Sequence, residues 1–146
     1  MKTIEINLYE FTELTEEKQN NVLYELHDIN VRDDWWENVY RDAKLAGVTI
    51  KSFSWGRDAE INIHVDNLLI TAIYITESWG EECLGVSASY DYLRDSNDIA
   101  YIVELEEMFL DELEQELEYL MTPEAVKRFI IFNECLFTDD GKLYNA

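Results

Sequence analysis

Proline occurs once, at Pro123, and glycine only five times in 146 residues. A flexible linker between domains is richer in both, so one domain over residues 1–146 is expected. No uncharged apolar run reaches the ~18 residues of a membrane-spanning helix. The opening stretch, residues 1–11, also lacks the apolar core of a secretory signal. There are two cysteines, Cys83 and Cys135, with no partner at a metal-ligand spacing. Two isolated thiols without a signal point to a reducing cytoplasm and to inert, buried sulfur. Basic residues are scarce as well: 11 Lys and Arg stand against 32 Asp and Glu, for a net charge of −21. That field repels nucleic acid and anionic membrane, so a basic protein surface is the natural partner.

Apolar material is plentiful. Hydrophobic residues make up 47% of the chain and aromatics 13%, which is too much for a disordered acidic tail. Thr3 to Tyr9 alternates polar and apolar residues and predicts a first strand. Thr15 before Glu16 and Glu17 marks a helix start that continues through Val22, Leu23 and Leu26. Asp34 with Glu37 three residues on predicts a second helix, which carries Trp35, Trp36, Val39, Tyr40, Ala43 and Leu45 and stops at Gly47. Of the two tryptophans, one ring serves the core and the other a surface. Val48–Trp55 and Ala59–Val65 alternate around Gly56-Arg57-Asp58 and read as a hairpin. Asn67 to Leu93 fits either a buried strand or helices. Asp98 to Leu120 is helical, with Ile102, Leu105, Phe109, Leu113, Leu117 and Leu120 as its apolar stripe. Thr122-Pro123 restarts a helix over Ala125, Val126, Phe129 and Ile130. Leu136-Phe137 and Leu143-Tyr144 flank the turn Asp139-Asp140-Gly141 as a last hairpin. The expected fold is α+β: one small antiparallel sheet packed against several helices, including the long acidic helix near 98–120.

The charge is unevenly placed. Residues 58–126 hold 18 acidic residues and one basic residue, Arg94, for a net of −17. On the helix 98–120, Glu104, Glu107, Asp111, Glu114 and Glu118 recur at spacings of three and four and form one row, flanked by Glu106, Glu112 and Glu116. Neither Lys nor Arg occurs from Asp95 to Glu124. Like charges so placed cost a helix roughly 0.2–0.5 kcal/mol per pair. Eight carboxylates over about 21 Å give one per ~2.6 Å, between the ~1.7 Å of duplex DNA and the ~3.4 Å of one strand. Three uses fit: an acidic face kept for solubility, mimicry of a nucleic acid, or a patch complementary to a basic protein.

Other chemistry is thin. His27-Asp28 and His64-x-Asp66 lack a further ligand at zinc spacing, and Asp139-Asp140-Gly141 lacks the oxygen ligands of a calcium loop. No nucleophile motif or phosphate-cradling glycine loop is present. Catalysis, a metal site and a cofactor are therefore not expected.

Certain runs resemble a family of small acidic phage and prophage proteins. They are Tyr9-Glu10-Phe11 with Glu13-Leu14 and Glu16-Glu17-Lys18, then Asp34-Trp35-Trp36-Glu37 with Val39-Tyr40 and Asp42-Ala43, then Ile50 with Ser52-Phe53. Glu77, Gly80-Glu81 and Cys83 match too, with Trp79 where the family usually has His. Leu117 to Leu120, Glu124-Ala125, Asn133-Glu134 and Phe137 to Tyr144 close the match. The resemblance favours helices between Asn67 and Leu93. It implies a mobile-element protein working in the cytoplasm of a bacterial host, and a genomic context rather than a mechanism. Source and charge together suggest an inhibitor of a basic, nucleic-acid-binding defence protein, of the anti-restriction or anti-CRISPR type. In that reading Glu104, Glu107, Asp111, Glu114 and Glu118 contact the partner. The alternative is an antitoxin-like or regulatory binder that imitates no nucleic acid.

Overall fold

The computed structural model describes residues 2–144. Among them are six α-helices and two antiparallel sheets of two strands each, an α+β fold. The chain forms two compact units, one from Met1–Trp35 with Leu117–Ala146 and the other from Trp36–Glu116.

The first unit holds β1 (Tyr9–Glu10), α1 (Glu16–Glu25), α6 (Pro123–Phe132) and β4 (Leu136–Phe137). Thr15 caps α1 by accepting a hydrogen bond from Lys18 N, and Thr122 caps α6 by accepting one from Ala125 N. Phe11, Leu14, Val22, Val126, Ile130 and Phe137 form its core, and the Phe11 and Phe137 rings meet edge to face at 6.3 Å. β1 pairs with β4 through Tyr9↔Phe137 and Glu10↔Leu136. Beyond β4 the chain turns at Gly141, whose positive φ (+76°) suits the missing Cβ, and Leu143 bridges back to Phe137.

The second unit holds α2 (Glu37–Leu45), β2 (Val48–Ser54), β3 (Glu60–Val65), α3 (Leu68–Ser78), α4 (Leu84–Asp95) and most of α5 (Asp98–Leu120). β2 and β3 make the expected hairpin, with Val48↔Val65 and Ile50↔Ile63 in register and a bulge that leaves Lys51 without an opposite residue. The stretch that fitted either state is helical. Asn67 caps α3, α4 packs against α3, and Asn97 Oδ1 accepts from Ala100 N at the start of α5. The buried side of α5 carries Tyr101, Leu105, Met108, Phe109 and Leu113. Trp79 meets Phe109 edge to face at 5.9 Å. Ser89 Oγ donates to Gly85 O and shares a 2.6 Å hydrogen bond with the Tyr101 hydroxyl, so both buried hydroxyls are satisfied.

Three expectations need correction. Thr3 to Leu8 is not a strand: its alternation finds no neighbouring strand, and Ile4 and Ile6 stand 81% and 58% exposed. The sheet is not one but two, because β1 pairs with β4 while β2 and β3 pair only with each other. α2 starts at Glu37 rather than at an Asp34 cap; Trp36 occupies the cap position and makes no side-chain cap bond. Trp35 is buried there, and Trp36 is half-buried against Tyr40 and Phe53.

Candidate functional site

The sequence row lies on α5, and its first four members belong to the unit Trp36–Glu116. Glu104, Glu107 and Asp111 are exposed and Glu114 is half-buried. Glu118 is exposed on the last turn, in the other unit. None of the five makes an ion pair among the described residues; Asp111 accepts a hydrogen bond from Gln115 Nε2 at 2.9 Å. The helix exists despite this repulsion because its opposite side is packed, and burying Leu105, Phe109 and Leu113 is worth about 1.5–3 kcal/mol each.

The supposed flanks behave differently. Glu106, Glu112 and Glu116 are all half-buried. Glu112 turns inward beside Asp42 of α2, where burial pushes its carboxyl up to about 7, and the charges of Asp42 and Asp111 add to the rise. It is not part of the outward face. The signal was present in the sequence: Glu112 stands three residues after Phe109 and four after Met108, on the apolar side of the helix. Within the unit Trp36–Glu116 the row itself, Glu104, Glu107, Asp111 and Glu114, spans about 15 Å, so its successive charges stand ~5 Å apart along the axis, wider than the ~3.4 Å of a single phosphate strand.

The structure adds residues that the sequence reading left out. Beside the row runs an open groove of about 390 Å³ between the start of β3 and α5, lined by Ile61, Val103 and Leu110 together with Glu107 of the row. Val103, Glu107, Leu110 and Glu114 follow one another at spacings of four, three and four, so apolar and acidic side chains alternate along this stripe.

Elsewhere the chemistry is sparse. His64 Nε2 lies 2.8 Å from Asp66 Oδ1 on an exposed strand end, and His27 Nδ1 lies 3.0 Å from Tyr24 O. No group of three His, Cys, Asp or Glu is placed to hold a metal among the described residues. Cys83 and Cys135 are free and partly buried, and burial pushes the Cys135 thiol up, away from the thiolate. No helix of the described residues is long and apolar enough to cross a membrane.

No known protein family, curated protein or solved structure matches the chain.

Proposed function

We propose that the chain is a phage-encoded acidic inhibitor, acting in the bacterial cytoplasm, that covers the basic surface of a nucleic-acid-binding host defence protein. One observation carries this reading: Glu104, Glu107, Asp111 and Glu114 share one side of α5 and none of them pairs with a cation among the described residues. Such a row costs helix stability that an interspersed Lys would restore, and a basic partner recovers that cost. Its charge-assisted contacts with Lys and Arg are the strong kind of hydrogen bond.

The spacing of about 5 Å favours covering the basic surface over replacing phosphates one for one. The same spacing keeps open the second reading, a regulatory or antitoxin-like binder that sits beside the nucleic-acid site. Capture of the partner from a host lysate, followed by gel-shift competition, separates the two. An inhibitor of the proposed kind releases nucleic acid from the purified partner. A stable ternary complex with nucleic acid overturns it and leaves the second reading.

A further inference from the structure

Four apolar side chains, Ala59, Ile61, Val103 and Leu110, and three carboxylates, Glu60, Glu106 and Glu107, line the groove between β3 and α5. Val103 is 47% exposed at its wall. No Lys or Arg lines it. We propose that this groove seats a basic amphipathic segment of the protein partner, with apolar side chains against Val103 and Leu110 and Lys or Arg against Glu60, Glu106 and Glu107. The inference rests on the reading of the acidic row as a partner-binding surface and names what that surface recognises.

Complementarity decides the occupant. A nucleic acid or an anionic lipid surface would set like charge against three carboxylates. A second copy of this chain carries a net charge of −21 and would bring repulsion as a whole to the same carboxylates. A wholly apolar segment would desolvate the carboxylates without a counter-charge, which is costly. A basic segment without apolar side chains would leave Val103 and Leu110 uncovered and gain nothing from the groove wall. Only a segment that alternates the two kinds matches the Val103–Glu107–Leu110–Glu114 stripe of α5.

The test uses two synthetic peptides of equal length and charge, one interleaving Lys and Arg with Leu, the other with Ser in place of Leu. Fluorescence anisotropy with the full chain should show the Leu peptide binding at least about tenfold tighter, as expected when one or two apolar side chains are buried. Val103→Ser, at a position exposed enough to spare the fold, should reduce that preference to under about threefold without changing the Ser peptide's affinity. Glu107→Lys should weaken both. Equal affinity of the two peptides, or a preference that survives Val103→Ser, overturns the groove; so does a failure of both to bind. If the affinities are equal yet still fall with Glu107→Lys, the acidic surface stands and only the groove is lost. Binding that neither substitution moves removes both.

Discussion

Glu112 shows how far one residue can depart from the row it was counted with. Its carboxyl, raised from 4.5 to about 7, prefers the protonated form in the folded chain. The contribution to stability is thus fully present below about pH 4.5 and is lost as pH rises through about 7. Glu112→Gln removes the buried charge and should stabilise the protein at about pH 8 by roughly 1–2 kcal/mol, a figure discounted for partial solvent access. The gain should shrink towards pH 5, which thermal melts at the two pH values will show; a gain independent of pH would mean that burial and the neighbouring charges do not raise this carboxyl. Thr71 is the complementary case. It is fully buried on α3, its hydroxyl has no partner among the described residues, and a Cβ built on Gly47 would lie 2.9 Å from that oxygen. Thr71→Val should therefore stabilise by about 1 kcal/mol, read as a higher denaturant midpoint, since an unpaired buried hydroxyl costs that much or more.

At the scale of elements, what was legible depended on whether the deciding interaction is local. Thr15 and Thr122 announced α1 and α6 because a cap bonds within its own first turn. Thr3 to Leu8 misled because alternation is half of a strand and the neighbour is the other half. The acidic row was legible from spacing alone, whereas the groove was not: Ala59 and Ile61 reach Val103 and Leu110 only through the fold. Substitution within α5 separates the structural role of the row from its functional one. Glu107→Lys with Glu114→Lys converts each of the three- and four-residue repulsions of the row into an attraction. The pair of substitutions should leave the melting temperature unchanged or raise it by the equivalent of about 1–2 kcal/mol, while partner capture is lost. A marked fall in melting temperature would show that the carboxylates hold α5 in place, and the argument from their cost would fail.

At the scale of the molecule, charge is segregated more sharply than composition suggests. In the unit Trp36–Glu116, four of the five basic residues, Arg41, Lys44, Lys51 and Arg57, lie between α2 and the hairpin turn. The fifth, Arg94, is already engaged by Asp91 and Asp95 at 3.0 and 3.2 Å. Arg94 apart, nothing on α3, α4 or α5 therefore offsets the field of the carboxylates on those helices. A surface of one sign acts at range: it speeds the encounter with an oppositely charged partner by about ten- to a thousandfold, and salt removes the effect. Screening shortens the reach of exposed charges to about 8 Å at physiological ionic strength and to about 3 Å at 1 M. The association rate with the partner should accordingly fall at least about tenfold between roughly 0.05 and 0.5 M NaCl. Dissociation should change less, because close contacts and the apolar groove wall hold the formed complex. Surface plasmon resonance across that series reads both rates. An association rate flat across the series would show that the charge takes no part in finding the partner, and would leave it as a device for solubility.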